Sequence, residues 1–127
     1  RLNQLISKEA KILHIANDYG QIDVLLCLGQ PTRKIYSFIE DEEKRGIANT
    51  NYIVRNRKIK YLQKIEDVTE TFDTVLISTS KFSNESLAHL KKANTIFLMN
   101  SFELENELLT YGFNVESREE AILVLKK

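Results

Sequence analysis

Short apolar runs alternate with amphipathic segments along almost the whole chain. The apolar runs have the length of strands and several are rich in β-branched residues, whereas the segments between them repeat apolar residues at helical spacing. This alternation is typical of a mostly parallel sheet, because each right-handed crossover lays a helix on one face of the sheet. The sequence therefore predicts a three-layer α/β fold with a mostly parallel sheet of about seven strands and helices on both faces.

The predicted elements cover the chain from end to end. The strands are predicted at 11–16, 34–39, 58–62, 72–78, 95–99, 113–117 and 121–125, and the helices at 1–8, 21–28, 41–52, 84–92 and after Asn100. The last two strands are too close for a crossover helix, so we expect an antiparallel hairpin at the edge of the sheet. Two local predictions accompany this map. Asn100 caps the last helix with Glu103 as its capping-box partner, and Ile22, Leu25 and Leu26 share the apolar face of the second helix.

Charge and cysteine content argue against several classes of function. The 127 residues carry 18 Lys and Arg against 18 Asp and Glu, and zero net charge argues against nucleic-acid binding, which needs an excess of cations. The single cysteine excludes an internal disulfide and a multi-cysteine zinc site. No apolar run approaches the roughly 18 residues of a membrane span, and no segment resembles a signal peptide. We therefore expect one cytoplasmic domain over residues 1–127 and, because it starts at Arg1, a fragment of a longer chain.

Three segments carry a resemblance to a known family. They are KILHIANDYGQIDVLLCL, RKIYSFIEDEEKRGIA and KIKYLQKIEDVTETFDTVLIS. In this order they resemble the first strand with its cofactor loop, the second strand with its acidic turn, and the third and fourth strands of class I S-adenosylmethionine-dependent methyltransferases. The resemblance implies a Rossmann-like sheet whose last strand is antiparallel, and S-adenosylmethionine (SAM) as the cofactor.

The cofactor loop departs from the family's pattern. In the family this loop reads acid-x-Gly-x-Gly-x-Gly, and the glycines let the backbone come close to the cofactor. The matching positions here are His14, Ala16, Asp18 and Gly20, so a single glycine remains. Asp18 would point a Cβ and a carboxylate at the space that the cofactor fills. The resemblance makes these four positions the candidate cofactor-binding residues of the loop.

Two acidic residues complete the candidate cofactor site. Glu40 follows Ile39, the position where the family carries the acid that holds the ribose hydroxyls, so this acid comes one residue late. Asp67 follows the third strand, where an acid or an amide commonly meets the adenine in the family. No residue stands out as a catalytic base, and no His, Cys and acid cluster has the spacing of a metal site. The resemblance thus implies SAM, with binding that is weak or absent.

Structural interpretations stand beside these functional ones. Asn17 or Asp18 is suited to cap the helix that starts near Gln21. His14 lies in the middle of an apolar strand, which is typical of a core histidine with a hydrogen-bond partner. Cys27 lies within an amphipathic helix, where a cysteine serves as a small buried hydrophobe.

Three functions are compatible with the sequence. The preferred hypothesis is a degenerate methyltransferase-like domain with a structural, regulatory or partner-binding role in a larger protein. The alternatives are an active but divergent SAM-dependent methyltransferase and a nucleotide-binding regulatory domain. The chain also resembles the methyltransferase-like tail of large bacterial proteins that join a membrane exporter part and an acyltransferase part. The expected partners are therefore another protein or neighbouring domains of the same chain.

Overall fold

The computed structural model describes residues 2–30, 32–50, 59–79, 84–100, 102–119 and 121–127, apart from the side chains of residues 67, 84 and 85. Within these ranges seven strands form one sheet. The strands are β1 (Lys11–Ala16), β2 (Lys34–Ile39), β3 (Ile59–Leu62), β4 (Thr74–Ile77), β5 (Thr95–Met99), β6 (Asn114–Arg118) and β7 (Ile122–Lys126). The helices are α1 (Leu2–Leu5), α2 (Gln21–Gly29), α3 (Glu42–Asn49), α4 (Asn84–Lys92) and α5 (Glu105–Thr110), and a 3-10 turn spans Ile65–Asp67.

The strand order is β3-β2-β1-β4-β5-β7-β6. The pairs from β3 through β5 are parallel, whereas β7 runs antiparallel to both β5 and β6. The mostly parallel sheet with an antiparallel carboxyl-terminal hairpin is thereby confirmed. A register shift between Val115 and Ser117 interrupts the edge strand β6, and such irregular edges discourage pairing with other chains.

Both faces of the sheet are covered, because the central strands bury side chains on each side. All four residues of β4 are buried. On one face the core includes Leu90 of α4 and Leu108 of α5, both fully buried. On the opposite face it includes Leu26 and Cys27 of α2, so the interpretation of the cysteine as a buried hydrophobe is confirmed. None of the helices in the described ranges is long and apolar enough to cross a membrane.

The capping prediction at Asn100 is wrong. Asn100 adopts a positive φ of 63°, and α5 begins only at Glu105, with Leu104 at its N-cap and no side-chain cap bond. Asparagine tolerates the left-handed conformation better than most residues, so here it turns the chain after β5 instead of starting the helix.

The predicted apolar face of α2 is also wrong in part. Leu25 is 61% exposed, whereas Asp23 is fully buried. The buried face of the helix is formed by Asp23, Leu26 and Cys27, which share one side at helical spacing. Asp23 thus occupies a buried, sheet-facing position of α2 at which a hydrophobic pattern would place a leucine.

The boundaries of the other helices and strands agree with those predicted from the sequence to within a few residues. The helix predicted from residue 41 begins one residue later, because Asp41 is its N-cap and accepts a hydrogen bond from the Lys44 backbone N at 3.0 Å. The predicted ends of this helix at 51–52 and of the third strand at Lys58 lie outside the described residues.

Candidate functional site

A cleft lies at the carboxyl ends of β1, β2 and β4. From β1 the chain crosses over to β2 on one side, and from β3 it crosses to β4 on the other. Sheets of this kind bind ligands in the crevice at such a switch point. The cleft encloses about 230 Å³, including space open to solvent. Its lining consists of Ile15, Ala16, Asn17, Phe38, Glu40 and Thr79.

The loop after β1 is held by contacts within the protein. Ala16 is buried against Ile39 and Ala48. Lys44 Nζ donates hydrogen bonds to the backbone O and to Oδ1 of Asn17, both at 3.3 Å. Asp18 Oδ1 accepts a hydrogen bond from the Gly20 backbone N at 3.1 Å, so neither Asn17 nor Asp18 caps α2, whose N-cap is Gly20 without a side-chain bond. The prediction of a side-chain cap at this helix is wrong.

Gly20 is required by close packing. Its φ is +87°, and a Cβ at this position would lie 2.5 Å from Tyr61 Oη and 2.9 Å from Ala48 Cβ. In dinucleotide-binding loops the last glycine of the motif serves the close approach of helix and strand. The one glycine that remains in this loop therefore has a packing role, and a role in cofactor binding stays a prediction.

The two predicted acids lie in different surroundings. Glu40 is exposed and belongs to the lining of the cleft, so the structure places it beside Ala16 and Asn17. Asp67 ends the 3-10 turn after β3, and its side chain lies outside the described part of the structure. Within the described ranges no group of three His, Cys, Asp or Glu side chains is arranged to hold a metal ion.

His14 is the centre of a buried hydrogen-bond network. Its Nδ1 lies 2.6 Å from Asp23 Oδ1, and its Nε2 lies 2.6 Å from Ser78 Oγ. Tyr61 Oη donates to the second carboxylate oxygen of Asp23 at 3.1 Å. His14 and Asp23 are both fully buried. The interpretation of His14 as a core histidine with hydrogen-bond partners is thereby confirmed.

The electrostatics of this network act on the protonation of His14. Burial favours the neutral imidazole, but the Asp23 carboxylate outweighs it and raises the pKa of His14 above its ordinary value. Burial and the same carboxylate raise the pKa of Tyr61, so its hydroxyl stays protonated and donates. Asp23 therefore accepts from two donors, which offsets the cost of burying it.

Sequence reasoning missed three members of the network: Asp23, Tyr61 and Ser78. The helical spacing of Asp23 with Leu26 and Cys27 carried a signal, because it placed an acid on the buried side of α2. No comparable pattern indicated Ser78, which joins His14 only because β4 pairs with β1.

Comparison with solved structures identifies the architecture. PhzM, a pyocyanin biosynthetic protein, superimposes with a TM-score of 0.75 at 12% identity over 99% of this chain and 53% of its own. A precorrin-6y C5,15-methyltransferase from Geobacter metallireducens GS-15 gives a TM-score of 0.73 at 11% identity, over 99% of this chain and 84% of its own. Sp1610 of Streptococcus pneumoniae, proposed to be a tRNA (m1A22) methyltransferase, gives 0.73 at 16% identity, over 98% and 67%.

The chain has a Rossmann-like fold that it shares with these solved structures, methyltransferases among them. At these low identities the likeness shows the fold alone. The chain spans about half the length of PhzM, 53%. No protein-family model matches the sequence, and no curated protein matches it.

Proposed function

We propose that this methyltransferase-like domain lacks efficient SAM binding and acts as a structural, regulatory or partner-binding module of a larger protein. The small volume of the cleft at the carboxyl ends of β1, β2 and β4 carries the proposal. It encloses about 230 Å³ even when space open to solvent is counted, and its first loop is held by Lys44 and by the packing of Ala16. A cofactor of the size of SAM would have to displace these contacts.

The hydrogen bonding of the loop supports the same proposal. The carboxylate of Asp18 is engaged within the loop, because its Oδ1 accepts a hydrogen bond from the Gly20 backbone N at 3.1 Å. The backbone of Gly20, which would otherwise face a ligand, lies against Tyr61 and Ala48. The residues at these two positions of the loop are thus engaged by the protein itself instead of being open to the methionine part of SAM, and we derive no reaction step through the cofactor.

Isothermal titration calorimetry tests the proposal directly. SAM and S-adenosylhomocysteine are each titrated into the purified domain, and we expect no saturable heat at ligand concentrations up to about 1 mM. A dissociation constant in the micromolar range for either ligand would contradict the proposal. A methyltransferase that binds SAM serves as the positive control for the ligand stocks.

A second candidate function is an active but divergent methyltransferase, and one observation favours it. Glu40 lies in the lining of the cleft, so an acid one residue beyond the family's position still reaches the place where the ribose would be held. If calorimetry detects binding, Glu40→Ala should weaken it about tenfold or more, because a hydrogen bond to a charged group is worth about 1.5–3 kcal/mol. Glu42→Ala, on the exposed first turn of α3, is the matched control and should leave binding unchanged.

A further inference from the structure

We propose that Ser78, His14 and Asp23 form a nucleophilic site that accepts an acyl group from a small carboxylic ester. The proposal is independent of SAM binding. It rests on the arrangement of three side chains from β1, from α2 and from the residue after β4.

The distances are those of a nucleophile, a base and a group that orients the base. Ser78 Oγ lies 2.6 Å from His14 Nε2, and Asp23 Oδ1 lies 2.6 Å from His14 Nδ1. Both ring nitrogens are thus engaged, one by a hydroxyl and the other by a carboxylate, which is the recurring arrangement of serine nucleophiles on unrelated folds. Tyr61 donates to the other oxygen of Asp23 at 3.1 Å and holds the carboxylate in place.

The three side chains differ in exposure as a nucleophilic site requires, with a buried base and a partly exposed nucleophile. His14 and Asp23 are 0% exposed, so water does not compete for their hydrogen bond. Ser78 is only partly buried and follows the carboxyl end of β4, where its backbone N donates to Ile15 O at 3.0 Å. This is the switch point between β1 and β4, the position at which doubly wound sheets place ligands.

The reaction follows from these contacts. As Ser78 Oγ bonds to the ester carbonyl carbon, its proton passes to His14 Nε2, and the carbonyl oxygen becomes an oxyanion. The carbon–oxygen bond to the alcohol then breaks, and the alcohol leaves with the proton from His14. Water then attacks the acylated Ser78, passing a proton through His14, and releases the acid. Asp23 is a positioning residue, since it acts through His14 by stabilising the imidazolium.

The test combines a covalent probe with an ester substrate. Wild-type domain is treated with an alkyl fluorophosphonate, in which the Ser78 Oγ–P bond forms as fluoride leaves, and the labelled peptide is identified by mass spectrometry. We expect labelling at Ser78 and hydrolysis of p-nitrophenyl acetate, both lost in Ser78→Ala and retained in Ser117→Ala. Asp23→Asn should slow both by about 100-fold, the size of a general-base contribution.

A pH profile of the wild-type domain keeps the proposal testable if the buried variants fail to fold. The neutral imidazole is the base, so the labelling rate should rise with pH through the pKa of His14 and then level off. An unlabelled Ser78 in folded protein, absence of Ser78-dependent ester hydrolysis, or a rate that does not change across this pH range would each overturn the proposal. None of these outcomes bears on calorimetry with SAM, so failure here and failure of the proposed function are distinguishable.

Discussion

At the scale of single residues, a buried histidine makes the stability of this domain depend on pH. The pKa of His14 is raised in the folded state by Asp23. The pair's stabilisation is therefore fully present below the unfolded pKa of about 6.5 and is lost as pH rises through the folded pKa. Urea denaturation from about pH 6 upward should show the free energy of unfolding falling with pH. His14→Gln should lack this dependence, and a variant that keeps the wild-type slope would contradict the assignment.

Substitutions at two glycines, one in the loop after β1 and one in α3, test the packing of the loop as a matched pair. Gly20→Ala places a Cβ within 2.9 Å of two neighbouring side chains at a φ of +87°, and we expect a loss of about 1–3 kcal/mol in the free energy of unfolding. Gly46 lies inside α3, and a Cβ added there would meet nothing within 4 Å, so Gly46→Ala should stabilise by about 0.5–1 kcal/mol. Equal effects of the two changes in urea denaturation would refute the packing role of Gly20.

At the scale of elements, Arg33 fastens the amino-terminal segment to the end of α2. Its guanidinium is fully buried and donates to the carbonyl oxygens of Ile6 at 2.7 Å, Leu26 at 3.1 Å and Ser7 at 3.3 Å. The same guanidinium thus joins residues 6–7, which follow α1, to the last turn of α2. Arg33→Ala should therefore lower the free energy of unfolding by about 2–4 kcal/mol and increase hydrogen exchange at the Ile6 amide.

The neighbouring residue is the control for this contact. Lys34 is exposed, so Lys34→Ala should change stability by less than about 0.5 kcal/mol. If Arg33→Ala is as mild as Lys34→Ala, or leaves exchange at Ile6 unchanged, then Arg33 does not fasten the segment.

The elements also show what could be predicted from the sequence. The run TIFLM predicted β5 at Thr95–Met99, and the structure has the same bounds, because a continuous apolar stretch needs burial on both faces of a sheet. The role of Asn100 could not be predicted, since it depends on the path of the chain after β5. The burial of Asp23 depends on donors from β1 and β3, which are brought together only by the tertiary fold.

At the scale of the whole molecule, the fold and the side chains of the candidate site have to be considered separately. The alternation of strands and helices predicted the doubly wound sheet, and solved methyltransferase structures share it. At three positions that the resemblance assigns to the cofactor, His14, Ala16 and Asp18, the side chains take part in packing and internal hydrogen bonds. Since one fold hosts many functions, the site and not the fold decides what this domain does.

The most direct test of that account is a two-dimensional ¹H–¹⁵N NMR titration of the domain with S-adenosylhomocysteine. Backbone amides of residues 14–20 and of Glu40 report on the cleft at the carboxyl ends of β1, β2 and β4, and amides of the β6–β7 hairpin report on non-specific effects. We predict no saturable shift of the cleft amides at ligand concentrations up to about 1 mM. Saturable shifts confined to residues 14–20 and Glu40, with a micromolar dissociation constant, would show a working cofactor site and contradict the account.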